Sequence, residues 1–389
     1  RHVATAVGTR GGPGTEGRAR LVLVGLEDGK VTTLADPGWD FAAHSGWLPD
    51  GRSLIVVARG RDQANSQLWA VTHPEGVVRR VTNDLNDRRL VSLTADGRTL
   101  VSVAGTLSST VWSVPLRGAG RARRMSRATT DGLGGVAFAA DGKLVYTSDT
   151  GSTTGLGTTG ADGAERGPLL ELPAGRQTGF PTVADDGTVY FAVRGRNGVE
   201  IHALERGSAG SRVVVRDALF VPFEVARDGS FVVYTAMVEG VPRVLRVSRD
   251  GSAPKPVFAG VAMRPTLHPS GRRVAFYHLD SSERYRLGVS AVEGGPLLLD
   301  LPAEPPIAGS RLLLRDEGIY LNTLPNDRGN VWLLPAEGGP ARKLTAWDDQ
   351  MLFDFAISRD GSTLAVARGP RLRDAQVLTG FASSTHPER

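Results

Sequence analysis

Residues 46–60 read GWLPDGRSLIVVARG, two short apolar runs joined by a proline, an aspartate and a glycine. The glycine can adopt the positive φ that a tight turn between antiparallel strands requires, because it has no Cβ to clash. The aspartate side chain can accept hydrogen bonds from backbone amides of the same turn. The stretch therefore predicts a β-hairpin whose aspartate is a turn residue rather than a catalytic or metal-binding one.

The same pattern returns seven more times along the chain, and the turn glycine is present in every copy. The further copies lie at 91–105, 136–149, 181–195, 223–237, 265–279, 311–324 and 354–369. The turn glycines, 42 to 47 residues apart, are Gly51, Gly97, Gly142, Gly187, Gly229, Gly271, Gly318 and Gly361. A fixed period of this length indicates a repeat architecture.

Each copy continues with a third strand, such as QLWAV at 67–71, and a fourth, such as VRRVT at 78–82. The tryptophans of the third strands are expected to fill the gaps between neighbouring sheets. Four strands in about 44 residues is the size of one β-propeller blade. The predicted fold is therefore an all-β propeller of four-stranded blades, almost free of helix. Eight blades are expected, or seven if the weak copy at 311–324 is a loop or is absorbed by a neighbouring blade.

The two ends of the chain suggest how the ring closes. The last copy supplies three strands, and a separate hairpin at 21–34 precedes the first copy. We expect hairpin 21–34 to pair with the C-terminal strands in 352–381, which would remove two exposed sheet edges. Residues 21–381 would then form a single propeller domain, between a flexible linker at 1–20 and a flexible tail at 382–389.

Composition excludes several classes of protein. The 389 residues are 40% hydrophobic and 22% charged, which is typical of a globular chain. The absence of cysteine excludes disulfide scaffolds, cysteine-ligated zinc, iron–sulfur clusters and thiol catalysis. No apolar run approaches the roughly 18 residues of a membrane helix. The formal net charge is only +5, and the basic cluster at 117–127 has no aromatic stacking partners, so no nucleic-acid partner is expected.

Motifs of known chemistry are missing as well. There is no G-x-S-x-G pentapeptide, and the kinase signatures H-R-D and D-F-G are absent. The glycine-rich run at 157–167 is not followed by a predicted helix that could bind phosphate. The seven histidines show no H-x-H or H-E-x-x-H spacing. The sequence therefore predicts a non-catalytic chain with no cofactor and no metal.

Propellers bind ligands at one mouth of the central channel, on the loops that lead into the innermost strands. The residues in those positions combine arginine, aromatic and histidine side chains, which suits an anionic or peptide ligand. The candidate residues are His44, Arg88, Arg89, Phe180, Phe220, Arg264, Asp349 and Phe353. The competing interpretation is that several are structural, and Phe353 in particular is expected to pack between blades. The expected partner is a protein, a peptide or a small molecule bound by a monomeric propeller.

The repeated phrase resembles the TolB-like Pro-Asp-Gly propeller repeat, most closely at 46–60 and 265–279. The resemblance covers about residues 21–381. Such repeats occur in TolB itself, in propellers ahead of prolyl-oligopeptidase-type hydrolases, and in sensor-like regions of bacterial regulators. The chain differs from TolB in having more repeats than the six blades of that family.

The stretch 353–381 also looks like the last blade of propellers at the C-terminus of bacterial membrane-anchored serine/threonine protein kinases. The matching residues are Ala367, Arg368, Gly369, Asp374, Val377, Leu378 and Phe381. This resemblance implies a ligand- or protein-binding sensor or scaffold in a larger signalling protein, on the extracytoplasmic side of a bacterial membrane. The chain begins at Arg1 rather than methionine, and we expect it to be a fragment or a mature chain. The alternatives are a periplasmic TolB-like adaptor and the propeller of a serine peptidase without its hydrolase domain.

Overall fold

A computed structural model describes residues 1–9, 18–60, 63, 65–84, 86–116, 120–150, 153–173, 176–195, 198–303, 311–323 and 328–381. These residues form antiparallel strands and turns, with no helix among them. Accordingly, this part of the chain contains no helix that could span a membrane. The predicted all-β fold is confirmed. The chain divides into two compact units rather than the single domain that we expected.

Unit 1 comprises residues 1–107 and 371–389 and contains two sheets. The larger sheet is a six-stranded antiparallel meander of β1 (His2–Thr9), β2 (Arg18–Gly25), β3 (Val31–Trp47), β4 (Ser53–Gly60), β5 (Gln67–Thr72) and β6 (Val78–Arg80). The smaller sheet, in the order β33-β8-β7, contains β7 (Asp87–Leu93), β8 (Thr99–Leu107) and β33 (Arg371–Thr379). Leu100 and Leu378 of the smaller sheet pack against Ile55 and Val57 of the larger one.

Unit 2 comprises residues 108–370 and contains six four-stranded antiparallel sheets, which we call blades 1 to 6. Blade 1 consists of β9 (Thr110–Pro115), β10 (Arg123–Arg124), β31 (Met351–Ile357) and β32 (Thr363–Gly369). Blade 2 consists of β11 (Val136–Phe138), β12 (Leu144–Asp149), β13 (Thr153–Thr159) and β14 (Gly167–Pro173). Blade 3 consists of β15 (Gln177–Val183), β16 (Val189–Gly195), β17 (Gly198–Leu204) and β18 (Arg212–Val215).

The remaining blades follow in chain order. Blade 4 consists of β19 (Glu224–Val225), β20 (Phe231–Val238), β21 (Val241–Ser248) and β22 (Lys255–Pro256). Blade 5 consists of β23 (Ala262–Leu267), β24 (Arg273–Leu279), β25 (Tyr285–Ala291) and β26 (Leu297–Pro302). Blade 6 consists of β27 (Leu312–Arg315), β28 (Gly318–Thr323), β29 (Asn330–Pro335) and β30 (Arg342–Lys343).

The six blades of unit 2 form a closed cycle. A buried apolar cluster joins each blade to the next, from blade 1 against blade 2 through to blade 5 against blade 6. The last cluster packs Val331 and Leu333 of blade 6 against Phe355 and Val366 of blade 1. Because both faces of every blade are covered by a neighbour, unit 2 is a six-bladed propeller.

The eight predicted hairpins are all present, and the eight turn glycines have φ between +66° and +143°. The weak copy at 311–324 forms β27 and β28, although residue 324 lies outside the described residues. The interpretation of that copy as a loop is therefore wrong. A single ring of eight is not confirmed either, because six hairpins lie in unit 2 and the first two lie in unit 1.

The predicted closure is wrong. Segment 21–34 pairs within the larger sheet of unit 1, where β2 lies between β1 and β3. The ring of unit 2 closes instead where β32 pairs with β9, and the final strand β33 pairs with β8. The third strand of the second copy, β9, thus pairs with the last copy, and the third strand of the last copy, β33, pairs with the second copy. The physical reason is that near-identical repeats present equivalent strand edges, so the local pattern specifies a strand but not its partner.

The predicted linker at 1–20 is wrong for the residues that the structure describes there. His2–Thr9 forms a full strand that pairs with Arg18–Gly25. Residues 10–17 and the predicted tail at 382–389 lie outside the described residues. The sequence analysis missed this strand because residues 1–20 are polar and rich in glycine. Since β1 is an exposed edge strand, it needs no apolar pattern.

The closure makes a testable prediction about fragments. A chain of residues 108–370 should unfold in one cooperative transition, because it holds the whole ring. Shortening it to 108–350 removes β31 and β32 and uncovers the apolar faces of blades 2 and 6, so no cooperative transition should remain. Circular dichroism during heating measures both.

A full-length chain without residues 21–34 is the control, since that segment belongs to unit 1. Its ring should still unfold cooperatively. If fragments 108–370 and 108–350 unfolded with the same cooperativity and melting temperature, the closure by β9 and β32 would be contradicted.

Candidate functional site

The innermost strands of unit 2 meet around a common axis. An ion pair joins Arg311 of blade 6 to Glu224 of blade 4 and bypasses blade 5. A second pair joins Arg359 of blade 1 to Asp185 of blade 3 and bypasses blade 2. Side chains from blades that are not neighbours in the cycle can meet only across its centre. The strands β11, β15, β19, β23, β27 and β31 therefore surround the axis.

A buried group of charges, which we call the axial ion cluster, lies on this axis. It consists of Arg311, Asp354 and Glu224. The Nη1 atom of Arg311 donates to Oδ2 of Asp354 at 2.8 Å, and both side chains are 6% exposed. The Nη2 atom of Arg311 lies 3.3 Å from Oε1 of Glu224, whose side chain is 17% exposed. One guanidinium thus bridges two carboxylates in the centre of the ring.

Further hydrogen bonds extend the axial ion cluster to other inner strands. The backbone amide of Val136 at the start of β11 donates to Oδ2 of Asp354 at 2.9 Å. The hydroxyl of Thr182 on β15 donates to Oε2 of Glu224 at 3.3 Å. Blades 1, 2, 3, 4 and 6 are therefore connected through one network of polar contacts.

Burial and charge act in opposite directions on this cluster. Burial raises the pKa of Asp354 and of Glu224, and the charge of Arg311 opposes that rise. For Arg311, burial alone would lower the pKa, but the two carboxylates outweigh it and the pKa is raised. The guanidinium stays charged and holds both carboxylates, so the cluster joins strands rather than presenting a free acid or base.

The eight candidate residues are divided between the two units. Unit 1 contains His44, Arg88 and Arg89, whereas unit 2 contains Phe180, Phe220, Arg264, Asp349 and Phe353. Their role in binding stays a prediction.

The three residues in unit 1 differ in their surroundings. Arg88 is 3% exposed and its Nη2 lies 2.5 Å from Oδ2 of Asp84, which is a structural contact. Arg89 is half exposed and pairs with Asp87 at 2.7 Å. His44 is exposed, with φ +45° at a register shift between β3 and β4.

In unit 2, three candidate residues lie at β-bulges near the beginning of inner strands. Phe180 and Arg264 have φ of +54° and +57° beside register shifts in β15 and β23. Phe353 lies at the register shift in β31 and is half buried. Gly135, seven residues before its turn glycine like Phe180 and Arg264, also has positive φ. We call this end of the inner strands the bulge edge.

The aromatic residues at the bulge edge form a compact group. The rings of Phe180 and Phe220 are 5.2 Å apart, and the Cζ atom of Arg194 lies 4.2 Å from the Phe220 ring centre. A Cβ on Gly179 would be only 2.8 Å from Phe220, so glycine permits this close approach. Both phenyl groups are half buried against the apolar cluster between blades 3 and 4. They combine a packing role with an accessible face.

The two remaining candidates show different environments. Arg264 is half buried, burial lowers its pKa, and its backbone amide donates to Oγ1 of Thr235 at 3.0 Å. Asp349 is 60% exposed and accepts from Nη2 of Arg368 at 2.7 Å. Arg368 in turn stacks on Trp347, with 4.6 Å between Cζ and the ring centre. Asp349 therefore holds the guanidinium of Arg368, which is 16% exposed.

Sequence reasoning missed the axial ion cluster. A usable signal was present, because Arg311 and Asp354 each stand seven residues before a turn glycine, as Phe180 and Arg264 do. A comparison of the residues seven positions before each turn glycine would have shown opposite charges in adjacent blades. Glu224 lies two positions further along its repeat and could not be found this way. Among the described residues, no group of three acidic or histidine side chains is placed to hold a metal ion.

Comparisons with known proteins show likeness of fold. No protein-family model matches the sequence, and neither does any curated protein. TolB from Acinetobacter baumannii, from the family that the repeat resembles, superposes with a TM-score of 0.45 at 12% identity, over 97% of this chain and 81% of that one. The tricorn protease gives 0.41 at 9% identity, over 97% of this chain and 48% of that one. A puromycin hydrolase gives 0.41 at 16% identity, over 87% and 57%.

This chain thus spans about half the length of the last two proteins. At these identities and TM-scores, the likenesses leave the function to be argued from the site.

Replacing Asp354 by alanine should test the axial ion cluster. The change leaves the Val136 amide without an acceptor and Arg311 with one carboxylate, so the free energy of unfolding should fall by about 3 kcal/mol. Urea denaturation of both proteins measures the difference.

Asp349→Ala is the matched control. Its ion pair with Arg368 is equally short, but the Asp349 carboxylate is 60% exposed and Arg368 keeps its hydrogen bond to Gln350, so the loss should stay below about 1 kcal/mol. Equal losses for the two variants would show that the axial ion cluster does not stabilise the ring.

Proposed function

We propose that this chain is a non-catalytic binding module whose ligand docks at the bulge edge of unit 2. The ligand that suits the site best is a peptide segment held against Phe180 and Phe220, beside Arg264 and Arg194. Aromatic and arginine side chains contribute most of the energy at many protein interfaces.

The observation that carries the proposal is the backbone conformation at the bulge edge. Blade 2 has glycine at the bulge, whereas blades 3 and 5 keep Phe180 and Arg264 at positive φ. A side chain in that region costs about 1 kcal/mol or more compared with glycine. Residues under such strain concentrate at ligand-binding sites, where the side chain supplies a contact that glycine cannot.

The charged groups of the axis support a role without catalysis. Asp354 and Glu224 are the sort of buried carboxylates that enzymes use as acids or bases. Here both accept hydrogen bonds from Arg311, and Val136 and Thr182 donate to them as well, so we assign the two carboxylates a structural role. We accordingly expect no hydrolytic turnover by the chain.

The sequence resemblance supports a more specific setting for this module. We infer that it serves as a sensor or scaffold in a bacterial signalling protein, such as a membrane-anchored serine/threonine kinase, on the extracytoplasmic side. The basis for this step is the match of residues 353–381 to the last blade of such propellers.

Peptides selected from a random phage-displayed library on the full chain provide the test. Peptides that bind the native protein should lose most of their affinity for Phe180→Gly and Arg264→Gly. Both variants should fold, because glycine adopts φ near +55° without strain. The relief of backbone strain offsets part of the packing energy that is lost with the side chain. Fluorescence polarisation measures binding, and thermal unfolding checks the fold.

Phe138→Ala is the control, since Phe138 is a half-buried aromatic that ends β11 on the side of the turn, opposite the bulge edge. It should leave peptide binding unchanged. The proposal would be refuted if no peptide were recovered, or if the peptides bound both glycine variants as tightly as they bind the native protein.

A further inference from the structure

The outer half of blade 3 holds a serine, a histidine and a glutamate in direct contact. The Nδ1 atom of His202 lies 3.0 Å from Oγ of Ser211, and its Nε2 atom lies 3.1 Å from Oε2 of Glu200. One imidazole thus joins a hydroxyl to a carboxylate. We call Ser211, His202 and Glu200 the outer triad.

The pairing of β17 with β18 brings the outer triad together. Glu200 and His202 are two residues apart on β17, so both side chains lie on one face of the blade. His202 is opposite Val213 of β18, and Ser211 stands two residues before Val213, which makes it a diagonal neighbour on the same face. Such an arrangement is recognised by its geometry and not by a motif such as G-x-S-x-G.

The partners of His202 fix which ring nitrogen carries the proton. A carboxylate can only accept a hydrogen bond, so Nε2 of the neutral ring is the donor to Glu200. Nδ1 is then the acceptor, and the hydroxyl of Ser211 donates to it. Glu200 is itself held through Oε1 by Arg216. The ring is therefore oriented to remove the Ser211 proton, which is how a histidine activates a serine nucleophile.

The surroundings of the outer triad keep the ring neutral while the hydroxyl stays near solvent. His202 is 7% exposed, and its ring centre lies 5.6 Å from that of Phe191. Burial lowers the pKa of His202, and Glu200 opposes that shift. Ser211 is half-buried and follows the exposed residues 205–210. A base is thus present at neutral pH beside a hydroxyl that a small electrophile can approach.

Blade 5 contains a similar pair with a different role. Oγ of Ser270 lies 2.8 Å from Nδ1 of His268, whose Nε2 lies 3.0 Å from Oδ1 of Asp316. There, however, the backbone amide of Ser270 also donates to Nδ1 at 3.2 Å, and that of Arg272 donates to Oγ at 3.4 Å. Ser270 and His268 are thus part of the hydrogen bonding of the turn itself, and Asp316 is 88% exposed. This pair provides a matched control within the same chain.

We propose that Ser211 is a nucleophile that accepts an acyl group from an activated ester. Oγ of Ser211 forms a bond to the ester carbonyl carbon, and the bond from that carbon to the leaving oxygen breaks. The hydroxyl proton moves to Nδ1 of His202 and then to the leaving oxygen, so His202 is the base and Glu200 is a positioning residue. The product is an acyl-serine, which makes the outer triad a site of covalent modification. This site goes beyond the proposed binding function and shares no residue with the bulge edge.

Reaction of the full chain with p-nitrophenyl acetate tests the proposal. Release of p-nitrophenolate should begin with a burst of about one equivalent per chain, and peptide mass spectrometry should find the acetyl group on Ser211. Ser211→Ala should lose the burst and should still fold, because Ser211 is only half-buried. Ser270→Ala is the control and should keep the native burst.

The other two members of the outer triad should affect the rate of the burst differently. His202→Gln should slow it about a hundredfold, because the base is lost. Glu200→Gln should slow it about tenfold and should also move the acid limb of its pH profile to lower pH. Besides burial, which lowers the pKa of His202 most, Glu200 raises that pKa, while Arg176 and Arg216 lower it. Without the carboxylate the ring therefore stays neutral to lower pH.

Thermal unfolding checks that each variant folds, and Ser211→Ala compared with Ser270→Ala decides the question even if His202→Gln does not fold. A native burst in Ser211→Ala, or acetyl groups on lysines with none on Ser211, would overturn the proposal. An unchanged pH profile in Glu200→Gln would contradict its positioning role. Continued release after the first equivalent would support Ser211 as the nucleophile and contradict the expected absence of turnover. Peptide binding at the bulge edge is measured separately, so the two proposals can fail independently.

Discussion

The pairing of β9 with β32 is the interaction on which unit 2 depends. It joins the first and last strands of the unit in one sheet, so that blade 1 is built from both ends of that segment. A propeller buries its apolar surface only between neighbouring blades, and a gap in the ring would expose two faces at once. Residues such as Ala365 and Val366, buried on opposite faces of β32, show that both neighbours are needed.

The axial ion cluster complements this closure from the inside. The inner strands β11 and β19 are only three and two residues long and contribute little sheet pairing. Hydrogen bonds from Val136 to Asp354 and from Arg311 to Glu224 connect these short strands to the rest of the ring. A buried ion pair gains little stability over an apolar pair but is severely damaged by the loss of one member. The cluster therefore fixes which strands meet at the centre, and it occupies acids that could otherwise react.

The two ends of the inner strands are chemically different. The bulge edge combines phenyl groups with positive φ, whereas at the turn end Arg359 of blade 1 pairs with Asp185 of blade 3. This polarity follows from the repeat, because every inner strand runs from a bulge position to an Asp-Gly type turn. The position seven residues before the turn glycine is occupied by glycine, phenylalanine, proline, arginine or aspartate according to the blade, and in unit 2 only Gly135, Phe180 and Arg264 have positive φ there. Variation at one position of the repeat allows one scaffold to carry different sites.

By itself, the sequence determined the local structure of the chain. The glycine spacing predicted eight hairpins, and all eight form with positive φ at the turn, because turn geometry depends only on adjacent residues. It placed Phe180 and Arg264 just before inner strands, whereas both lie inside β15 and β23, beside register shifts. Only the tertiary structure decided which copies share a ring, that β9 and β33 exchange partners, and that Arg311 meets Glu224 across the axis. Equivalent repeats offer equivalent edges and faces, so their choice of partner depends on the packing of the whole ring, which no single repeat encodes.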